Sequence, residues 1–435
     1  MMLCIILLSL TPIVPVLTDE DFPVTVRDGF NRIVVIPVQP QRIASLAPAV
    51  TEMLSALGLE NEIVGVTSYC NYPPSVVEKV DAGKITVIGG FTNPDPEKIL
   101  SLDPDLIVAQ STLQQEVITF LEAEGVAIVG LNPKNVEDVI ADIALVGRAC
   151  GKTAEAQVLV DSLNRRMAFV EDRVSRSSSL PRVYYELWYD PLMSVGQGTW
   201  IHELLTRAGG LNIFEDSVTP YPTVSPEAVI TRNPEIIVIP KGYMSGTPAT
   251  DLEQRQGWSS IDAIENRRIY QVDEDQFNRP GPRIIDALEQ IAVICHPELF
   301  TGRIDYIRGI SFDTNSILLG AHYDSGRKML NFTLTGEEGS QATIKVEIDQ
   351  NLLDGAPVVF LDDKLIATTL SDNGTAYTIL FMVTHSSHSI LVAGANTIPE
   401  FSFLILLLAL SLALAGAISL KRTGGRSPNS LPEPT

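Results

Sequence analysis

An internal repeat constrains the fold of this chain more than any other sequence feature. Residues 95–108 (DPEKILSLDPDLIV) match residues 225–238 (SPEAVITRNPEIIV) without a gap. Each copy begins with a residue suited to cap a helix, Asp95 or Ser225, and places a proline in the first helical turn. A second proline ends each helix before an apolar strand. The repeat therefore predicts two similar lobes.

The pattern between residues 42 and 300 is that of an α/β protein. Short apolar runs alternate with amphipathic segments, which is typical of sheets built from strand-helix units. Apolar positions recur at helical spacing through a proline-free stretch, which predicts a helical link between the lobes. We predict an N-terminal lobe over 42–134, connector helices over 135–180 and a C-terminal lobe over 181–300, with a small-molecule cleft between the lobes.

A different pattern follows the second lobe. Residues 310–396 contain alternating strand-like runs separated by Asp-Gly and Asn-Gly turns, and they predict a small all-β, sandwich-like domain. This region also contains two glycosylation sequons, which begin at Asn331 and Asn373. Both asparagines are candidates for sugar attachment if the domain lies outside the cell.

Both ends of the chain are apolar. Residues 1–18 are interpreted as a signal peptide, with an uncleaved N-terminal anchor as the alternative, and an N-terminal extension follows over 19–41. Residues 399–422 include an uncharged run long enough to cross a bilayer, and Lys421 and Arg422 follow it. The positive charges place the tail, 423–435, in the cytoplasm and the body of the protein on the extracellular face of the membrane, anchored at its C-terminus.

Composition and motifs exclude several functions. The net charge of −22 leaves no basic surface for nucleic acid. No complete phosphate-binding loop or Gly-x-Ser-x-Gly elbow occurs, and the five histidines form no cluster. Cys70, Cys150 and Cys295 have no metal-binding spacing, so we expect buried core thiols and at most one disulfide. The sequence therefore predicts neither an enzyme, nor a metal site, nor a cofactor.

Several stretches give the chain a family resemblance. Residues 42 to about 298 resemble the periplasmic binding proteins that serve cobalamin, siderophore and haem importers. The matching stretches are Arg42–Glu52, Val64–Pro74, Gly89–Phe91, Asp103–Ile107, Gly198–Phe214 and Arg279–Arg283.

The resemblance implies the architecture and the partners. The expected fold is two α/β lobes with parallel-type sheets and flanking helices, joined by one long helix and followed here by the all-β domain and a C-terminal transmembrane helix. The expected partners are a small-molecule ligand and the permease dimer of an ABC importer, with the binding protein itself a monomer.

The resemblance also implies the ligand-binding residues. In the cobalamin branch, aromatic side chains from both lobes sandwich the ligand, and the matching positions are Tyr69, Phe91 and Tyr221. Gln110 stands where that branch can carry a tryptophan. Asp275 and Arg279 match a polar pair at the mouth of the cleft, suited to amide groups of a ligand.

Two glutamates are implied to dock on the importer. The family uses one exposed glutamate on each lobe to contact arginines of the permease, and the repeat independently places Glu97 and Glu227 at equivalent positions. A two-lobed protein that docks on a symmetric dimer needs such equivalence. The simpler alternative is that each acid stabilises the start of its helix.

Some alternatives stay open. Cobalamin or a related corrinoid is the favoured ligand, and a ferric siderophore or haem is the alternative within the same class of importer. A surface adhesion or scaffold protein is the alternative of a different class. Residues 398–401 (IPEF) resemble a sorting signal of archaeal surface proteins, whose processing would replace the C-terminal helix with a lipid.

Overall fold

The computed structural model describes residues 22–241, 249–307, 309–336, 339–384 and 388–396. They divide into two compact units, one that contains residues up to 171 and 178–295, and one that contains 172–177 and the residues from 296 onward. The predicted signal peptide (1–18), sorting sequence (398–401), transmembrane segment (399–422) and tail (423–435) lie outside the described residues. Among the residues described, no helix is long and apolar enough to cross a membrane.

The first unit begins with an antiparallel hairpin of β1 (Val24–Arg27) and β2 (Ile33–Ile36). The N-terminal lobe follows as a sheet in the order β5-β4-β3-β6-β7, in which all neighbours are parallel. Its strands are β3 Ile43–Ser45, β4 Ile63–Val66, β5 Thr86–Val87, β6 Leu106–Gln110 and β7 Ile128–Leu131. Its helices are α1 Pro48–Ala56, α2 Pro74–Asp81, α3 Pro96–Ser101 and α4 Gln115–Ala123.

The turn of the hairpin covers the edge strand β7. The buried carboxylate of Asp28 accepts the N–H of Gly130 at 3.0 Å, and the Gly29 N–H donates to the carbonyl of Gly130 at 2.7 Å. A Cβ on Gly130 would lie 2.1 Å from the ring of Phe30, so only glycine fits there. Where it is described, the predicted N-terminal extension (19–41) is therefore an integral part of the first unit.

The connector consists of two helices. After α5 (Val136–Ala149) the chain turns through Gly151, whose φ is +69°, into the 22-residue α6 (Thr153–Val174). Helix α5 contacts β1 and β7. Only α6 therefore corresponds to the expected long helix, because glycine in the left-handed region ends α5 and lets the chain change direction.

The C-terminal lobe has a second parallel sheet, in the order β11-β8-β12-β13. Its strands are β8 Arg182–Tyr185, β11 Leu211–Asn212, β12 Ile236–Lys241 and β13 Ile269–Asp273, and a small hairpin of β9 Trp188–Tyr189 and β10 Leu192–Met193 follows β8. Its helices are α7 Trp200–Arg207, α8 Pro226–Arg232, α9 Asp262–Glu265, α10 Glu274–Asn278 and α11 Ile284–Cys295. Arg166 of α6 pairs with Glu289 of α11 at 2.7 Å.

The two copies of the repeat adopt the same local structure. The Asp95 carboxylate accepts the Lys98 N–H at 3.0 Å at the start of α3, and the Ser225 hydroxyl accepts the Ala228 N–H at 3.2 Å at the start of α8. Each side chain satisfies a backbone donor that the helix leaves unpaired. The predicted caps are therefore correct in both lobes.

The ends of the repeated helices also match. Asp103 and Asn233 both adopt left-handed backbone, with φ of 46° and 43°, directly before a proline. The Arg42 Nε donates to the Asp103 carbonyl at 3.0 Å, and the Arg182 Nε donates to the Asn233 carbonyl at 2.8 Å. The same turn is thus held by an arginine from the first strand region of each lobe.

The core of each lobe and the cysteines follow the apolar pattern. In the N-terminal lobe the buried cluster includes Ile99, Ile107 and Ile118, and in the C-terminal lobe it includes Tyr184, Val229 and Trp258. The cysteines expected in the core, Cys70, Cys150 and Cys295, are buried.

The second unit is a sandwich of two five-stranded antiparallel sheets. One has the order β14-β15-β18-β22-β21 and the other β16-β17-β23-β19-β20. The strands are β14 Gly302–Ile307, β15 Ile310–Thr314, β16 Ile317–Asp324, β17 Met329–Thr335, β18 Gln341–Asp349, β19 Pro357–Leu361, β20 Lys364–Ile366, β21 Thr369–Asp372, β22 Ala376–Thr384 and β23 His388–Gly394. The rings of Phe312 and Phe332, one from each sheet, meet edge to face at 4.9 Å. The domain begins earlier than the expected 310, since β14 already pairs with β15.

His388 contacts both the turn after β19 and the end of β22 through its ring nitrogens. His388 Nδ1 lies 2.7 Å from a carboxylate oxygen of Asp362, and its Nε2 lies 2.8 Å from the Thr384 carbonyl. A neutral imidazole has one N–H, so two acceptors favour the doubly protonated ring. The hydrogen bond to Asp362 raises the pKa of His388, and the same bond, with the nearby Lys364, lowers the pKa of Asp362.

This pair predicts a pH-dependent stability. A raised histidine pKa stabilises the fold fully below the unfolded value of about 6.5, and the effect is lost as pH rises through the folded pKa. We expect the pKa of His388 to lie above the ordinary histidine value in the whole protein and to be lower in Asp362→Asn, with at most about 1 kcal/mol of stability lost on deprotonation. Histidine C–H NMR measures this, with His388→Gln to identify the resonance.

The control is Asp313→Asn, which removes an exposed carboxylate elsewhere in the second unit and should leave the His388 titration unchanged. A His388 pKa at or below 6.5 in the unmodified protein would contradict the pairing.

Candidate functional site

The residues expected to bind ligand follow the carboxyl ends of parallel strands in both lobes. Tyr69 follows β4, Phe91 follows β5 and Gln110 ends β6. In the other lobe, Tyr221 lies in the loop after β11, and Asp275 and Arg279 follow β13. Ligands of open parallel sheets bind at this edge, because the connecting loops there converge.

Two aromatic residues of the N-terminal lobe lie on adjoining loops. The Ser68 N–H donates to the Gly89 carbonyl at 2.9 Å, and a Cβ on Gly90 would lie 3.9 Å from the ring of Tyr69. Tyr69 is 44% exposed, and Phe91 is half-buried. An exposed ring beside a half-buried one offers an apolar face for a planar ligand.

The loop that carries Tyr221 packs on the β9–β10 hairpin. The Ser194 N–H donates to the carbonyl of Pro222 at 3.0 Å, and the Gly196 N–H donates to the carbonyl of Pro220 at 2.8 Å. Tyr221 is 42% exposed, and partial burial raises its pKa. The C-terminal lobe thus presents one exposed aromatic ring on a loop fixed by backbone hydrogen bonds.

The β9–β10 hairpin carries a second aromatic pair that the sequence analysis missed. The rings of Trp188 and Tyr189 lie 6.1 Å apart, and Tyr189 is exposed. Both follow the carboxyl end of β8, the same edge that carries Tyr221. The signal in the sequence was an aromatic pair directly before Asp-Pro, where a turn exposes the preceding residues.

Gln110 is buried and faces the other lobe. Its side chain donates to the Pro280 carbonyl at 3.3 Å, and its backbone N–H donates to the side chain of Gln114 at 3.0 Å. Only 6% of Gln110 is exposed. In this structure its amide joins the lobes at the sheet edge.

Gln114 is a fully buried residue that the sequence analysis did not single out. Its amide nitrogen donates to the carbonyl of Leu46, at the end of β3, and to the carbonyl of Phe91, at 2.6 and 2.8 Å. Its amide oxygen accepts the N–H of Gln110. One side chain therefore holds three segments of the candidate site in place, including the loop of Phe91.

The Asp275 and Arg279 pair is bound to the N-terminal lobe. Arg279 pairs with Asp275 at 2.7 Å and donates to the Asn71 side-chain oxygen at 2.7 Å and to the Tyr69 carbonyl at 3.1 Å. The Asn71 amide nitrogen donates to the second oxygen of Asp275 at 2.8 Å. Arg279, Asp275 and Asn71 thus close a ring of contacts between the lobes.

A buried carboxylate completes the contact between the lobes. Glu52 of α1 accepts two hydrogen bonds from Arg283, at 2.7 and 2.8 Å, and one from Arg279 at 3.3 Å. Burial alone would lower the pKa of Arg283, but the bonds to Glu52 raise it. The Arg283 guanidinium also lies 4.1 Å from the ring centroid of Tyr72. The two lobes therefore share a charged, hydrogen-bonded junction.

The expected docking glutamates are equivalent in the structure. Glu97 and Glu227 are exposed, and each is the second residue of a short helix, α3 or α8. The local structure around the two glutamates is the same because the caps and the helix ends of the two repeats match. The sequence prediction of equivalent positions is therefore correct at the level of local structure.

The two sequons differ in placement. Asn331 lies on β17, between β16 and β23, where it pairs with His322 and Leu391. Asn373 lies in the exposed turn between β21 and β22, and its side-chain oxygen accepts the Thr375 hydroxyl at 2.9 Å. Attachment of a sugar needs an accessible segment, so the geometry favours Asn373 of the two predicted acceptors.

No group of three or more potential ligands for a metal ion occurs within the described parts of the chain. The site is instead a polar junction between two α/β lobes, with exposed aromatic rings on loops of both. Such an arrangement defines the class of two-lobed binding proteins that hold a small ligand between lobes.

Comparison with known proteins identifies the family. Residues 43–276 match the periplasmic binding protein family, and the chain belongs to it. It is 33% identical over 290 residues to an uncharacterised ABC transporter substrate-binding lipoprotein of Bacillus subtilis, which covers 65% of this chain and 88% of the relative. It is 29% identical over 257 residues to the vitamin B12-binding protein of Vibrio cholerae, which covers 59% of this chain and 89% of that protein.

Solved structures resemble the first unit. The vitamin B12-binding protein of Vibrio cholerae matches with a TM-score of 0.52 and 28% identity, covering 60% of this chain and 98% of that one. A haem-binding protein of Roseiflexus matches with a TM-score of 0.54 and 26% identity, covering 60% and 99%. The predicted α/β fold with parallel sheets is therefore confirmed for this part of the chain.

Gln114 provides a test of how the site is held. Gln114→Ala leaves the Leu46 and Phe91 carbonyls and the Gln110 N–H without their partner, so we expect it to destabilise the first unit by about 1–3 kcal/mol. Urea unfolding followed by tryptophan fluorescence measures this, because all three tryptophans lie in the first unit.

The matched control is Gln115→Ala, which removes an exposed glutamine one residue later and should change the stability by less than about 0.5 kcal/mol. Equal losses in the two variants would show that Gln114 does not hold these segments together.

Proposed function

We propose that this protein is the extracellular solute-binding component of an ABC importer and that it captures cobalamin or a related corrinoid between its two lobes. The observation that carries the proposal is the exposure of aromatic rings at the carboxyl edges of both sheets, above all Tyr69 and Tyr221. Flat, largely apolar macrocycles are held well by such rings, which bury a large area at low entropic cost.

The relatives support the choice of ligand. The similar protein of Vibrio cholerae is a vitamin B12-binding protein, and a cobalamin-binding protein of Halobacterium salinarum is 26% identical over 283 residues, 63% of this chain and 74% of that protein. Haem is the second candidate, because the haem-binding protein of Roseiflexus is similar to this chain in TM-score and sequence identity to about the same degree as the vitamin B12-binding protein. In both cases the bound molecule is cargo and not a cofactor.

We also propose the cellular setting. The protein works as a monomer on the outer face of the membrane, held by the segment 399–422 or by a lipid that replaces it. The support is the sequence of residues 401–422, in which an uncharged apolar run precedes Lys421 and Arg422. An accessible Asn373 in the second unit is consistent with a sugar at that site.

Corrinoid binding is directly testable. We expect the protein to bind cyanocobalamin with a saturable change in absorbance or heat, and Tyr221→Ala to weaken the binding by about 1–3 kcal/mol if its ring stacks on the ligand. The control is Val218→Ala, a fully exposed apolar residue three positions away, which should keep the affinity. Saturable binding of a ferric siderophore without any response to corrinoids would overturn the proposal.

The docking role of Glu97 and Glu227 follows from their equivalence. Glu97→Gln combined with Glu227→Gln should leave ligand affinity within about twofold, because both side chains are exposed and the hydrogen bonds of the junction come from other residues, while transport in reconstituted vesicles falls sharply. Each single change should have a partial effect, and transport by the unmodified protein should weaken with salt.

The control pair is Glu116→Gln with Glu265→Gln, which removes one exposed helical glutamate from each lobe outside the repeat. If the Glu97 and Glu227 double variant transports normally, or if it loses ligand binding, the docking proposal is wrong. Both acids would then only stabilise the starts of their helices.

A further inference from the structure

The four terminal N–H donors of Arg279 are committed to the protein itself. Its two terminal nitrogens contact four oxygens, from Glu52 at 3.3 Å, Asn71 at 2.7 Å, Tyr69 at 3.1 Å and Asp275 at 2.7 Å. A guanidinium has two N–H groups on each terminal nitrogen, so these four contacts use all of them. The side chain is 14% exposed. A ligand acceptor could reach these N–H groups only by displacing one of the four oxygens.

Asp275 has acceptor capacity left. One carboxylate oxygen contacts Arg279 and the other accepts from Asn71. A carboxylate has about four lone-pair sites, so about two remain, and the side chain is 32% exposed. Apart from the Nε–H of Arg279, the free hydrogen-bonding capacity of the pair is therefore that of an acceptor.

Asn71 determines which donors and acceptors of the Asp275 and Arg279 pair are already used. Its amide oxygen faces Arg279 and its amide nitrogen faces Asp275. Turning the amide over would place a donor against the guanidinium and an acceptor against the carboxylate, so the orientation is fixed by its partners. Without Asn71, one terminal N–H of Arg279 and one acceptor site of Asp275 would be released.

The neighbouring charges leave no surplus cation. Arg279 and Arg283 are balanced by Glu52 and Asp275. The whole chain carries a net charge of −22. A ligand that brought carboxylates to this place would meet Asp275 without a compensating positive charge, and like charges at a contact are costly.

We infer that Asn71 is a specificity-determining residue, which locks Arg279 so that this part of the site accepts ligands with amide or other donor groups and rejects ligands with carboxylates. The inference rests on the proposed binding of a tetrapyrrole-like ligand and names its chemical class. Amide-bearing corrinoids fit it, and ligands that present free carboxylates, such as the propionates of haem, do not.

A pair of corrinoids with the same ring tests the inference. Dicyanocobinamide carries amide side groups, and dicyanocobyrinic acid carries carboxylates in their place. By calorimetry with the whole protein we expect the amide form to bind at least about tenfold more tightly, a difference of about 1.4 kcal/mol. In Asn71→Ala the freed N–H of Arg279 can meet a carboxylate, and the preference should fall to within about threefold.

Two further variants separate this role from a structural one. Asn71→Asp keeps an acceptor for Arg279 and should keep the preference for the amide form. Asn61→Ala, which removes an exposed asparagine that accepts a hydrogen bond from Lys79, should leave both affinities unchanged. A folding defect would weaken both corrinoids together and leave their ratio as it was, so the ratio is the readout.

The outcomes distinguish the two proposals. Equal affinity for both corrinoids in the unmodified protein, or an unchanged ratio in Asn71→Ala, overturns the inference and leaves corrinoid binding intact. If neither corrinoid binds, haemin and its dimethyl ester replace them: preference for the ester supports the inference although the corrinoid proposal has failed, and equal binding or preference for haemin overturns it. Absence of all binding overturns both.

Discussion

The buried carboxylate of Glu52 is the interaction on which the arrangement of the first unit depends. It lies in the N-terminal lobe and is held by Arg279 and Arg283 of the C-terminal lobe. A buried charge is tolerated only when it is paired and hydrogen-bonded, and loss of one partner costs about 3–5 kcal/mol. Because the pairing holds Glu52 against Arg279 and Arg283, it fixes how the N-terminal lobe lies against the C-terminal lobe.

The internal repeat gives the two lobes the same local structure, although some equivalent residues have different contacts. The caps, the left-handed turns and the arginine contacts at the helix ends are the same in both copies. Residues 51–58 (TEMLSALG) and 202–209 (HELLTRAG) also resemble each other, but their acids, Glu52 and Glu203, have different partners. Glu52 joins the lobes, whereas Glu203 accepts the Val136 N–H at 2.7 Å and ties α7 to the start of α5. Equivalent sequence positions therefore give equivalent local structure, but the partner across space decides the role.

The order and kind of elements could be predicted from the sequence because they depend on near neighbours. Proline in the first turn, a capping side chain three residues before the N–H that donates to it and an apolar run after a second proline act within about ten residues of chain. The same holds for the alternating strands of the second unit. The position of the break between α5 and α6 could not be predicted from the sequence, since a glycine such as Gly151 permits either a weak point within one helix or a turn between two helices.

The sequence by itself determined the two α/β lobes, the appended β-domain, the equivalence of Glu97 and Glu227 and the set of aromatic residues worth testing. Only the tertiary structure decided that Gln110 faces Pro280, that Gln114 binds the Phe91 loop and that the Asn71 side chain forms hydrogen bonds with Asp275 and Arg279. The physical reason is distance along the chain. A hydrogen bond between Asn71 and Asp275 joins residues 204 positions apart, and a single sequence contains no local pattern that records which distant donor meets which acceptor.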